Sequence, residues 1–330
     1  MNPEGKKVDA ILLAGEGESS FKVYNRHKAF LKINGKCIIS YVLEALQMTE
    51  SVRAIYLVGL KDKVTQALEE SGIDMNYPKP LHIVQQRANL YENIWYTFLR
   101  TLAPEGEEPD LTSSDNLDKA ALIVPCDAPL ITPHEVEYFI SHADEENFDH
   151  VLGLSSRESL QPFYPRDGLP GIRMAYLHLK ENKYRINNLH LVKPLRIGNR
   201  QYIQKMYQYR YQRNIKNMFL FGLSLIGKDN PVNLKYYFGL QLGLLFSKCK
   251  LEKLAKYFRG WTPKKDFENR ISHILKTRFT ALETPFPGAA LDIDNDRDYE
   301  VIRTRFEEWR CYLESLNQKH PLPARSESMV

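Results

Sequence analysis

Between residues 8 and 150 the chain alternates short, mostly apolar runs with amphipathic stretches of helical period, and no other feature restricts its fold as much. Residues 8–13, 54–58, 81–84 and 120–124 read as strands, and 38–48, 61–71, 89–102 and 133–143 as helices. In 89–102, Leu90, Ile94, Phe98 and Leu102 recur at intervals of four, and 133–143 opens on a proline, which a first helical turn accepts without losing a hydrogen bond. An apolar run without polar alternation is a strand buried on both faces. Strands of that kind alternating with helices build a mostly parallel sheet covered on both sides. The expected class is α/β and Rossmann-like, with the ligand site at the carboxyl ends of the strands.

Three stretches carry chemistry. The first strand runs into Gly15-x-Gly17, a polar loop, and then Lys28 at the head of KAFLKINGK. A glycine loop after a strand, followed by a lysine, suits phosphate groups, but a tight turn beside a surface lysine has the same appearance. The GxxxxGK[ST] spacing is absent. The second stretch is LIVPCDAPLIT (122–132), in which Asp127 sits between two prolines, six residues too early to cap the helix at Pro133. The third is ALDIDNDRDY (290–299), with a strand expected over 291–294 and a closing helix over 296–316. Asp298 suits the first turn of that helix, where a carboxylate is favoured. Asp292 alternates with Asp294 and shares its face of a strand. An EF-hand lacks its glycine and its terminal glutamate here. Gln85 to Asn89 (QQRAN) follows the third strand: amides can read a base edge, and Asn89 can equally cap the next helix.

Beyond residue 150 the rhythm changes. Further strands are expected over 151–155, 172–179 and 188–192, and then 200–276 reads as helices. Residues 201–284 hold 11 Lys and 5 Arg against 5 Asp/Glu, a net of +11 in a chain whose total is only +4. Tyr202 to Lys216 interleaves tyrosine with basic residues, a pattern that serves nucleic-acid stacking, an anionic membrane surface, or a packed helical subdomain with solvated lysines. The segment 104–119 is acidic and Pro/Ser-rich, a mobile surface loop by composition, and the tail from 317 reads as disordered. The four cysteines form no CxxC, which argues against a zinc site or disulfide scaffold and for a reduced compartment. No signal-peptide core or spanning run is present, so the expectation is a cytoplasmic protein, at most peripheral to a membrane.

Taken together, LAGEG, KAFLK, CDAPLIT and the final aspartate-rich turn resemble the MobA-like NTP transferases. These belong to a GT-A-like nucleotidyltransferase superfamily that includes molybdenum cofactor, sugar-phosphate and methylerythritol-phosphate nucleotidyltransferases. The resemblance implies a Rossmann-like GT-A core over 1–198 that includes acceptor-site strands, closed by a strand and helix over 285–316. A basic, largely helical insertion would span 199–284, and the tail 317–330. It implies catalytic Lys28, Asp127 and Asp294, with Asp127 and Asp294 holding Mg²⁺ and Asp292 in reserve. Leu13, Ala14, Gly15, Gly17, Lys22, Arg26, Gln85, Asn89 and Asp127 would bind the nucleotide. Arg173, Arg185, Asn187 and Asn188 would bind the acceptor. Ser19 stands where the family usually has an arginine, and Lys22 or Arg26 could bring that charge instead. The implied reaction moves a nucleotidyl group from CTP, GTP or UTP to a phosphorylated small molecule or lipid-linked acceptor, releasing pyrophosphate. A GT-A glycosyltransferase or an inactive nucleotide-binding module are the alternatives. The basic segment 200–278 is assigned contact with an anionic membrane or polyanion, and no specific nucleic-acid partner is expected.

Overall fold

The computed structural model describes residues 7–17, 22–73, 78–203 and 251–322, with 238–239, 241–243, 245–247 and 249. Its elements in chain order are β1 (Val8–Leu13), α1 (Ile38–Met48), β2 (Val52–Gly59), α2 (Lys61–Glu70), β3 (Leu81–Gln85) and α3 (Leu90–Leu102). Then come β4 (Ala121–Pro125), α4 (Pro133–His142), β5 (His150–Ser156), β6 (Lys183–Val192), α5 (Glu252–Arg259), α6 (Lys264–Leu275), β7 (Phe279–Thr284) and α7 (Asp296–Lys319).

The sheet order is β7-β5-β6-β4-β1-β2-β3, with a two-residue strand, Leu177–His178, antiparallel to β6. All long neighbours run parallel except β6, which is antiparallel to both β4 and β5. β1 is central, pairing Ile11 with Tyr56 on one side and Ile123 on the other. Successive side chains of a strand face opposite ways. Ala10 and Leu12 accordingly pack toward α1 and α4, with Val42, Leu46, Val136 and Phe139, while Ile11 meets Phe98 of α3. The chain leaves β1 toward β2 and β3 on one side and returns beside it as β4 on the other. The ends of β1 and β4 therefore form a topological switch point, where such sheets open a crevice.

Several departures from the sequence expectation follow from tertiary packing. Residues 279–284, inside the segment assigned to the helical insertion, form β7, an edge strand parallel to β5 and covered by Phe267 and Ile271 of α6. Conversely, 291–294 is not a strand. Leu291 and Ile293 are buried against α7, but Ile293 N donates to Asp127 O (3.0 Å) rather than into a ladder. Of 172–179, only Leu177–His178 pairs, whereas β6 begins at Lys183 and carries a register shift at a left-handed Asn188 (φ 62°). Segment 104–119 is held by a short helix, Ser114–Asp118, whose Asp118 pairs with Arg196 (3.0 Å), and α7 continues through Lys319 past the expected end. Most of the tyrosine-rich basic stretch, Ser19 and 323–330 lie outside the described residues. No helix among the described residues is long and apolar enough to cross a membrane.

Candidate active site

At the switch point the three chemical stretches meet. Lys28 opens a single 3-10 turn, Lys28–Phe30, behind the hairpin of 22–23 with 26–27. Its ammonium contacts Asp127 Oδ2, donates to Ile293 O (3.0 Å) and lies 3.8 Å from Asp294 Oδ1. Burial opposes charge on Lys28, but the Asp127 carboxylate and its hydrogen bond, with Asp294 adding, raise its pKa above the usual lysine value. Burial, then Asp292 and, against Lys28, Asp127 push the Asp294 carboxyl up to about 6. Two acids 167 residues apart in sequence thus converge on the Lys28 ammonium, because Asp127 lies two residues past the end of β4 and the 291–294 segment is bonded to it through Ile293 N.

The glycine loop is held from the side. Gln86 accepts from Glu16 N (2.7 Å) and donates to Glu16 O, a two-point clamp, while Lys63 pairs with the Glu16 carboxylate (2.9 Å). A Cβ on Gly15 would lie 2.7 Å from Asn93 Nδ2, so glycine there is a matter of space. His27 Nε2 is 3.2 Å from Gly15 O, and burial lowers the pKa of its ring below the usual histidine value. At the hairpin tip, Tyr24 N donates to Asp296 Oδ1 (2.8 Å), tying the loop to α7. Asn295 caps that helix and Asp298 lies in its first turn, its N–H donating to Asn295 Oδ1 (3.0 Å).

The segment carrying the third motif is fixed from three directions. Arg185 donates to Ala290 O (2.9 Å) and to Asp292 Oδ1 (2.6 Å); Asn188 Nδ2 donates to Ala289 O (3.3 Å); and Ala289 N donates to both oxygens of buried Glu135 (3.0 Å each). Gly288 is needed beneath it, since a Cβ would lie 2.4 Å from Leu130 O.

Gly15, Gly17, Leu13, Lys28, Asn89, Asp127, Asn188 and Asp294 border one cavity of about 610 Å³. Other expected residues do not border it. Ala14 is buried beneath the loop, Lys22 and Arg26 lie exposed on the hairpin, and Arg173 is on the surface. Gln85 accepts from Lys61 N at the start of α2, Arg185 is committed to the 290–292 segment, and Asn187 is buried with its amide on Thr284 Oγ1. Asn89 caps α3 through Glu92 N (2.9 Å) while bordering the cavity. Sequence reasoning missed His27, Asn93 and Glu135; it placed Gln86 in a stretch of amides suited to a base edge, whereas its amide is spent on the Glu16 backbone.

Among the described residues no group of three or more His, Cys, Asp or Glu could by itself hold a metal. The carboxylates that could contribute to a metal site are Asp127, whose Oδ1 is buried without a hydrogen-bond partner, and Asp294, which shares the Lys28 ammonium with it. One or two carboxylates completed by phosphate oxygens is the environment Mg²⁺ accepts. Cys126 is buried and its thiol pKa pushed up by burial and Asp127, so it is no nucleophile.

The family profile described as the MobA-like NTP transferase domain matches residues 10–190. Among solved structures, a hypothetical transferase from Thermus thermophilus is 21% identical with a TM-score of 0.57, covering 88% of this chain and 99% of its own. The 4-diphosphocytidyl-2C-methyl-D-erythritol synthase of Anaerococcus prevotii (11% identity, TM-score 0.43, 92% of this chain and 100% of its own) also matches. So does a CMP:2-keto-3-deoxy-manno-octonic acid synthetase complexed with CTP (12%, 0.43, 92% and 99%). No curated protein sequence matches this chain.

Proposed function

This chain belongs to the MobA-like NTP transferase family, and we propose that it transfers a nucleotidyl group from an NTP to a phosphorylated acceptor, releasing pyrophosphate. The observation that carries this is the convergence of Lys28, Asp127 and Asp294 at one end of the cavity bordered by the Gly15–Gly17 loop. The clamped loop positions the triphosphate, and Lys28 offers a positive charge to the phosphate oxygens, where charge builds up in the transition state. Asp127 and Asp294 would hold Mg²⁺, which when bound neutralises phosphate charge. An acceptor phosphate oxygen attacks the α-phosphorus in line as the bond to the β-phosphate oxygen breaks. No protein nucleophile is required, in keeping with the inert Cys126.

The test is thermal unfolding with each of four NTPs, with and without Mg²⁺. A nucleotide at 100 times its dissociation constant adds ~2.7 kcal/mol to stability. Asp127→Ala should abolish the metal-dependent part for the best nucleotide. Protection that survives in this variant refutes the site.

A further inference from the structure

The cavity does not end at the phosphate-binding machinery. α3 covers its face of the sheet over β1 and β2, and α6 covers it over β5 and β7. The strip between them, over β4 and β6, is floored by Ile123, Leu152, Ile186 and Val192 and walled by Trp95 of α3 and Ile271 of α6. Ile186 stays 41% exposed although it lies in the sheet, because it faces this space. Along β5, from Leu154, which pairs with Ile186, to His150, which pairs with Val192, the floor extends about 13 Å at the usual rise of a strand. Packing of Ile197, Ile203 and Leu275 against Ile123 and Val192 bounds it there.

The lining changes character along this length. The acids of the cavity, Glu16, Asp127, Asp292 and Asp294, are all on the motif segments at the other end. Among the described residues, the polar side chains of the arm are His150 and His190, bonded to each other (3.1 Å), with Arg200 and Tyr202 toward its far end. Burial drives the pKa values of the two histidines down to about 3 and about 4, so both rings are neutral at ordinary pH. Arg200 Cζ lies 4.1 Å from the centre of the Trp95 ring. A largely apolar arm of one cavity, continuous with a charged site, is matched by a ligand with a charged head and a hydrocarbon body.

We infer that the acceptor is a phosphate monoester carrying a hydrocarbon chain, with its head beside Lys28, where Mg²⁺ held by Asp127 and Asp294 would offset the carboxylates, and its chain laid along β4 and β6. This rests on the nucleotidyl-transfer reading and names the substrate class for it. The acceptor's phosphate dianion forms a P–O bond to the α-phosphorus. The bond from that phosphorus to the bridging oxygen breaks, pyrophosphate leaves with the electron pair, and no proton is exchanged.

The experiment uses the full chain with Mg²⁺ and whichever NTP protects it best. Pyrophosphate release is measured with hexyl, octyl and decyl phosphate and with a hexose 1-phosphate, and thermal unfolding with decyl phosphate alone. We expect kcat/KM to rise about fourfold per methylene, mainly through KM, until the chain outgrows the arm. Ile271→Trp should move that limit to shorter chains, and the milder Ile186→Gln should flatten the slope. Both should leave nucleotide protection unchanged, which also shows that they fold. Equal use of hexyl and decyl phosphate, or turnover of the hexose phosphate alone, overturns the inference and leaves nucleotidyl transfer standing. Decyl phosphate that fails to bind while the nucleotide still protects also overturns it. If no NTP protects the protein, the nucleotidyl-transfer reading has failed, and the inference with it.

Discussion

Glu135 links the second motif to the third, and its protonation makes that link testable. It sits in the first turn of α4 behind Thr132, fully buried, with Ala289 N donating to both carboxyl oxygens. Burial outweighs these backbone donors and pushes its pKa up to about 8. The folded state therefore keeps a proton that the unfolded chain releases near the ordinary glutamate value of about 4.3. Stability tied to that proton is fully present below the unfolded pKa and is lost as pH rises through the folded one. Between these limits the loss is ~1.4 kcal/mol per pH unit. Glu135→Gln keeps the shape and one acceptor but cannot ionise, so it lacks this slope. Urea unfolding of both proteins at pH 5.5 and 7.5 should show the variant gaining on the wild type by ~2.7 kcal/mol over that interval. A gap constant to within ~0.5 kcal/mol would mean that Glu135 is ionised in the native state, and the reasoning from burial would fail.

Lys28→Met leaves Asp127 buried without its counter-charge and should cost on the order of 3 kcal/mol in urea unfolding, while abolishing NTP protection; a loss under ~1 kcal/mol would refute the pairing. Gly15→Ala places a methyl group 2.7 Å from Asn93 Nδ2 and displaces the amide whose oxygen accepts from Arg87 N. NTP binding measured by calorimetry should weaken at least tenfold, and unchanged affinity would mean the loop is not where phosphates bind. Gln86→Ala removes both clamping bonds on Glu16; at ~1 kcal/mol per hydrogen bond, NTP affinity should fall five- to thirtyfold with little change in melting temperature. A lowered melting temperature with normal affinity would make Gln86 a structural residue only.

The pieces of the site were legible in the sequence because each carries a local signature. The apolar run before Gly15, the apolar run into Asp127 between its prolines, and the polar capped turn before α7 are all short-range patterns. Their partners were not. Arg185 looked like an acceptor ligand from its charge, yet its guanidinium is spent 107 residues away on Asp292. Nothing local marks Glu135, whose carboxyl meets Ala289, 154 residues on.

The alternation of strands and helices, the parallel class of the sheet and the three chemical stretches follow from residue order alone, because period and turn chemistry are properties of neighbouring residues. The strand order was settled elsewhere. So were the conversion of 291–294 from apparent strand to buried coil, the entry of 279–284 as an edge strand, and the apolar arm between α3 and α6. Each depends on which surfaces meet when distant segments exclude water together, and no local pattern encodes that meeting.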